Sequence, residues 1–405
     1  MSPSQEIPPQ PRPYQELSPR SQRQRLQELA LVFLKLGTFA FGGPAAHLAM
    51  MDEEVVGRRQ WLTREKLLDL IGITNLIPGP NSTELAIYIG AERAGWRGLI
   101  VAGCCFILPA MLIVWGLAAL YVQTAQVPQV EWLLYGIKPV IIAIVLQALW
   151  KLGRKAIKDN VTLVAAGAAV GAYFLGWSEV LTLAVLGLGV MLIKAWQRGN
   201  QITPGLVGLP TGFLAQMTTT PPELSASWVN IFLIFLKIGL VLYGGGYVLL
   251  AFLQREFVDQ THWLTSQQLL DAVAIGQVTP GPLFTTATFI GYLLAGNSGA
   301  VAGTVGIFLP SFLLVALINP WVNQLRRSAW VAGALDGVNA AALGLMAGVT
   351  VTLTQAAVVD PVTIGVAVVS AVVLFKWQVN SAWLILAGGL VGFVTQELGT
   401  NFLGN

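Results

Sequence analysis

The chain has 405 residues, 55% of them hydrophobic and 11% charged, with a mean hydropathy of +0.68. Soluble domains carry about 25% charged residues, so this composition excludes an ordinary water-soluble protein and describes a polytopic membrane protein. The formal net charge of +3 identifies no partner, because a membrane protein's charges gather in its loops.

Residues 1–25 are rich in Pro, Gln, Ser and Arg and lack an apolar core. They read as a disordered tail rather than a signal peptide. Apolar stretches near the roughly 20 residues needed to span a bilayer follow. In the first half they lie near 29–50, 67–90, 99–121, 133–150, 161–175 and 179–196. Lys35 is embedded in the first, and Gly42-Gly43-Pro44 breaks it, with His47 just beyond. Thr63 is a predicted helix cap after Trp61, which suits an interfacial belt, and Asp69 falls in the early helix. The second stretch is broken by Pro78-Gly79-Pro80, followed by Asn81, Ser82, Thr83 and Glu84. Arg93 and Arg97 mark a loop, the adjacent Cys104 and Cys105 are packing residues, and Lys138 is a weaker site candidate. A Gly/Pro/Thr-rich linker, 200–228, leads to the second half, 229–405. Its stretches lie near 229–253, 269–294, 299–318, 332–355, 358–376 and 381–398. Lys237, Gly244-Gly245-Gly246, Trp263, Asp271, Pro280-Gly281-Pro282, Thr285 and Thr286 recur there in the same order.

The chain is written twice. From Phe33 to Pro80, 20 of 48 columns are identical at an offset of 202, and the match continues at 201 after one slip. Two halves, 26–199 and 229–405, therefore share a fold. Lys151, Arg154, Lys155 and Lys158 follow the fourth stretch of the first half, whereas Arg326-Arg327 follow the third stretch of the second. Because Lys and Arg mark cytoplasmic loops, equivalent loops face opposite sides and the repeats are inverted. Arg58, Arg59, Arg64 and Lys66 disagree with this scheme unless the broken segments are re-entrant or the linker crosses once more. The predicted fold is all-α, with about 10–13 transmembrane segments, some broken or re-entrant.

Helix breaks at membrane depth are tolerated where they line a cavity or are buried in protein. A restarted helix has unpaired N–H groups and a positive dipole end, which together favour an anion. A single break often serves packing alone. Four breaks at corresponding positions of two repeats point to a transport site. The expected substrate-binding residues are Lys35, Gly42, Gly43, Pro44, His47, Pro78, Gly79, Pro80, Asn81, Ser82, Lys237, Gly244, Gly245, Pro280, Gly281, Pro282 and Thr285. Glu84 is the candidate for coupling. Snorkelling to the interface is the competing reading of both lysines. No Walker A loop, HExxH motif, metal-ligand cluster or nucleophile elbow is present, and two histidines in the chain argue against an enzyme. No cofactor and no nucleic-acid partner are expected.

The segments "FGGPAAHLAMM" (41–51), "PGPNSTELAIYIG" (78–90) and "TPGPLFTTATFIGYLLAG" (279–296) resemble the signatures of the chromate ion transporter family, in its long two-repeat form. The likeness extends over roughly 29–398. It implies a multi-pass plasma-membrane carrier that exports chromate and confers chromate resistance, with the lipid bilayer and a homodimer among its partners. Sulfate has nearly the same shape and charge, so the anion stays open, and an anion channel is the rival class. First-half signatures of the family often carry Glu straight after PGP. Here Asn81 takes that place and Glu84 lies three residues further on.

Overall fold

The computed structural model describes residues 14–124, 127–197, 225–318, 324–325, 328–377 and 379–403. Most of the linker, Arg326-Arg327 and residues 1–13 of the tail lie outside them. The first repeat contains α1 (Pro19–Phe39), α2 (Gly43–Met51), α3 (Arg64–Thr74), α4 (Asn81–Thr124), α5 (Pro128–Ala156), α6 (Asn160–Phe174) and α7 (Glu179–Gln197). The second contains α8 (Trp228–Val241), α9 (Leu249–Leu253), α10 (Ser266–Val278), α11 (Thr286–Ile318), α12 (Ala329–Ala357), α13 (Pro361–Trp377) and α14 (Ser381–Leu403). A π-helical turn continues each short helix, Asp52–Arg58 after α2 and Gln254–Gln260 after α9. No strand occurs among the described residues, and six of the helices are long and apolar enough to cross a membrane.

Local sequence accounts for the starts. Ser18 caps α1, which begins at Pro19 and so reaches into the stretch read as a disordered tail. Thr63 accepts from the Lys66 N–H, and Thr265 forms a reciprocal capping box with Gln268, as the "WLT" pattern predicts. The long helices α4 and α11 each fold into two legs, at Ala94-Gly95 and Ala295-Gly296. The legs close on paired glycines, Gly90 with Gly98 and Gly291 with Gly299, where an added Cβ would overlap the opposing carbonyl. Helices in lipid have no hydrophobic force between them, so close backbone approach through small residues supplies their packing. Gly136 on α5 meets Gly388 and Gly392 on α14, and its equivalent Gly337 on α12 meets Gly187 on α7. Each repeat's last helices thus pack on the other's central helix.

Ion pairs fix the directions. Arg93, at the end of α4's first leg, bonds Glu28 of α1 at 3.1 Å and stands 4.5 Å above the Trp61 ring. Lys66 at the start of α3 pairs with Glu92 at 2.8 Å. Residues 28, 61, 66, 92 and 93 therefore share one end of the bundle. Both broken segments of the first repeat enter there and turn back, so the broken helices are re-entrant hairpins. That geometry removes the disagreement posed by Arg58, Arg59, Arg64 and Lys66, since their loop never leaves this end. Lys158 joins Asp336 of α12 at 2.6 Å, so the α5–α6 loop and the start of α12 lie at one end too. The second legs of α4 and α11 run antiparallel: Phe312 packs on Gly103 while Trp115 Nε1 donates to Asn297 Oδ1 at 3.0 Å. Equivalent elements run in opposite directions, which is the inverted arrangement.

Candidate functional site at the crossing of two hairpin tips

The helix ends determine where the repeats meet. α1 stops at Phe39 and leaves the Ala40 carbonyl without a helical partner; α8 stops at Val241 and leaves that of Leu242. The Gly281 N–H donates to Ala40 O at 3.0 Å, and the Gly79 N–H donates to Leu242 O at 2.9 Å. Ala40 and Leu242 are repeat equivalents, as are Gly79 and Gly281, so the two bonds are one bond made twice. Each proline-glycine-proline tip is stitched to the broken helix of the other repeat. Both glycines have positive φ, +135° and +91°, where an L side chain is strained. A Cβ on Gly79 would overlap Glu84 Oε1 and lie 2.7 Å from Ser311 Oγ; one on Gly281 would lie 2.6 Å from Ala110 Cβ. Ala110 and Ser311 are themselves equivalents, on the second legs.

The tips thus differ from bare anion receptors in one respect: both central amides already have a protein acceptor. The N–H groups of Thr83 and Glu84 turn back to Pro80 O, and that of Thr285 to Pro282 O. The Thr285 hydroxyl donates to Pro282 O at 2.9 Å, and the Asn81 amide donates to Asn75 Oδ1 at 2.8 Å. Ser82 is buried. Gly42 and Gly43 take left-handed φ of +106° and +75°, with Pro44 in the first turn of α2; Gly244 and Gly245 take +92° and +106°. Buried His47 places Nε2 3.1 Å from Ala40 O, beside the Gly281 bond.

Lys35 and Lys237 are both paired with carboxylates. Lys35 bonds Glu54, and Lys237 bonds Glu256 at 2.6 Å. Glu54 and Glu256 are 6% and 5% exposed, and a buried carboxylate left without a cation is costly. The pairs brace each helix against its returning π-helical turn. In the first repeat Arg58 and Arg59 also reach Glu54, at 3.3 and 3.5 Å. The sequence reading missed these glutamates, although they fill one of the identical columns of the repeat.

The crossing is otherwise furnished unequally. Glu84 is wholly buried. Ser311 Oγ donates to its Oε1 at 3.5 Å, whereas Oε2, Thr83 Oγ1 and Tyr88 Oη are buried without a hydrogen-bond partner. Tyr88 follows it by one helical turn, and Tyr243 Oη donates to Leu76 O at 3.5 Å. The equivalent of Glu84 in the second repeat is Thr285. Among the described residues no Lys, Arg or His forms an ion pair with Glu84, and intramembrane carboxyls of this kind mark proton or ion pathways in other proteins. Tyr88, Tyr243 and Ser311 were not legible as site residues, because nothing local in sequence signals a polar group facing a distant glutamate.

The chromate transporter family model matches residues 27–193 and 229–393. The chain is 32% identical over 380 residues to a chromate transport protein of Cupriavidus metallidurans, covering 92% of this chain and 94% of that one. It is 30% identical to a chromate transport protein of Pseudomonas aeruginosa, over 89% of this chain and 90% of the relative. A probable chromate transport protein of Synechococcus elongatus is 29% identical, over 87% and 90%. No solved structure matches the chain. The chain belongs to the chromate transporter family.

Proposed function

We propose that this member of the chromate transporter family is a secondary transporter that exports chromate, a tetrahedral dianion, across the plasma membrane and so confers chromate resistance. The observation that carries the reading is the crossing itself, in which two inverted hairpin tips are joined by exchanged hydrogen bonds around a buried carboxyl. Motion of one repeat against the other must pass through those two bonds, and such relative motion is how inverted-repeat carriers alternate access. The anion site we draw comprises the breaks at Gly42-Gly43-Pro44, Pro78 to Ser82, Gly244-Gly245 and Pro280 to Pro282, with His47 and Thr285. Lys35 and Lys237 add positive field from their hairpins. Glu84 carries the coupling proton.

We read the orientation in the membrane from charge. Arg58, Arg59, Arg64, Lys66, Arg93, Arg97, Lys151, Arg154, Lys155, Lys158 and Lys194 belong to the end defined by Trp61 and Lys158, whereas the opposite end has Arg255 near its surface. The basic end is cytoplasmic by the positive-inside rule. Chromate and sulfate flux in everted vesicles, with the pH and voltage gradients collapsed separately, tests the reading. Saturable chromate uptake that fails when the pH gradient is removed supports it. Sulfate flux in place of chromate would make sulfate the substrate, and single-channel currents would replace the carrier with a pore.

A further inference from the structure

Far from the basic end, a cavity of about 500 Å³ opens between α4, α5, α10 and α12. Tyr121, Glu131, Tyr135, Gln267 and Gln268 line it, and Lys138 and Asp271 are also in its wall. Lys138 Nζ stands 3.1 Å from Asp271 Oδ1, and Tyr121 Oη donates to Asp271 Oδ2 at 2.9 Å. The two charged side chains are only 14% and 6% exposed. Asp271 belongs to the second re-entrant hairpin; Lys138 and Tyr121 belong to the first repeat. The pair therefore ties a hairpin to the opposite repeat, within a cavity that a solute can enter.

The equivalent place in the other repeat cannot hold this arrangement. By sequence column Asp69 matches Asp271 and Asn339 matches Lys138, and Asp69 is exposed. The inversion has copied the hairpin but not the lysine that meets Asp271. A carboxylate kept on a cation inside an accessible cavity is a resident counter-ion. An anion entering the cavity would compete with Asp271 for Lys138. A dianion has the Coulombic advantage over a single carboxylate, and a monoanion does not. Asp271 stands nine residues before Pro280, about 13 Å along the helix at 1.5 Å per residue. The cavity is thus one step from the crossing.

We propose that Lys138 is a second anion site, in a vestibule outside the crossing, and that Asp271 is the counter-ion which admits divalent oxyanions and turns away monovalent ones. Tyr121 holds Asp271 in place when the site is empty and receives it when an anion displaces it. This inference rests on the transport reading for the identity of the anion, but not for the binding itself.

The test uses the full chain in proteoliposomes and two independent measurements. In the first, Gln268→Cys is introduced with Cys104→Ala and Cys105→Ala, and its rate of labelling by a charged thiol reagent is followed. Sulfate and molybdate serve as probes, because chromate oxidises thiols. Both should slow labelling at least three-fold at concentrations where chloride does nothing. Lys138→Met/Asp271→Asn, which keeps a neutral pair in the cavity and is safer for folding than Lys138→Met alone, should abolish that protection. In the second, chromate flux is measured against a 100-fold excess of chloride (about two orders of magnitude). The parent should be insensitive, and Asp271→Asn should lose at least half its flux to chloride. No protection by either dianion, or chloride insensitivity in Asp271→Asn, would overturn the vestibule site. Protection without any chromate flux in the parent would leave the vestibule standing and sink the transport reading instead.

Discussion

The two repeats share a backbone almost residue for residue but not a polar interior. Helix breaks, hairpin tips, the Lys–Glu brace and the closing glycine pairs occur twice. Glu84 corresponds to Thr285, Ser311 to Ala110, and Lys138 to Asn339. Duplication fixes shape through glycine, proline and small residues, whose demands are steric and survive inversion. Charge placement answers to the two sides of the membrane, which differ, and so it diverges. An inverted repeat is a symmetric frame carrying an asymmetric circuit.

The largest test of that contrast is at the tips. Gly281→Ala meets Ala110 Cβ at 2.6 Å as well as a φ of +91°, and overpacking of this kind costs about 1–3 kcal/mol before strain is added. Gly79→Ala meets mainly the movable Glu84 carboxyl and Ser311 hydroxyl. Folded membrane-inserted protein should fall several-fold for Gly281→Ala and less for Gly79→Ala. Ala110→Gly should partly restore the former. Equal losses, with no restoration, would mean that the two tips are sterically alike after all.

Glu84→Gln should leave abundance and thermal stability at or above the parent's, since it removes an ionisable group from a site without a cation. Net pH-driven chromate flux should fall at least ten-fold, while exchange of chromate for chromate survives. Thr285→Val, at the equivalent position and in the anion site, should lower pH-driven flux and chromate exchange together rather than pH-driven flux alone. A loss of pH-driven flux alone there would assign the coupling to the frame rather than to Glu84.

The braces should separate next. Lys237→Met leaves Glu256 without its ion pair, and breaking a fully buried pair costs about 3–5 kcal/mol, reduced here to about half because Lys237 is partly exposed. Lys35→Met leaves Glu54 with Arg58 and Arg59, so its cost should be about 1 kcal/mol or less. Denaturant or thermal unfolding in detergent reads the difference. Loss of transport with full stability in both variants would return the lysines to the anion site.

The smallest effect concerns Asp159, which Lys194 and the Thr162 N–H hold at about 2 against an ordinary value of 3.8. Because the folded value is the lower one, its contribution is present above pH ~4 and disappears as pH falls towards ~2. Asp159→Asn should flatten the acid limb of the stability profile there. Its counterpart Asp360 is also lowered, despite the opposing effect of burial, with Tyr135 and Thr363 donating to it. Without a lysine beside it, Asp360→Asn should flatten that limb less.

Most of the frame was legible in the sequence. The repeat, the breaks and the caps at Thr63 and Thr265 are short-range patterns. The inverted sense was legible too, from the placement of Lys and Arg. What lay beyond reading was pairing at a distance. Nothing near Gly79 says that its amide finds Leu242, or near Lys138 that it meets Asp271. The acceptors of the Gly79 and Gly281 amides were hidden for the same reason: a helix break frees an amide locally, and only the tertiary fold decides what claims it.

The exchanged hydrogen bonds also impose an order on biosynthesis. Gly79 leaves the ribosome 163 residues before Leu242, which is roughly 8–33 s at about 5–20 residues per second. Throughout that interval the first hairpin has been made and its stitch has not. The nascent first half has an unfinished centre until then: the first stitch can close once Leu242 is made, and the second only when Gly281 follows 39 residues later.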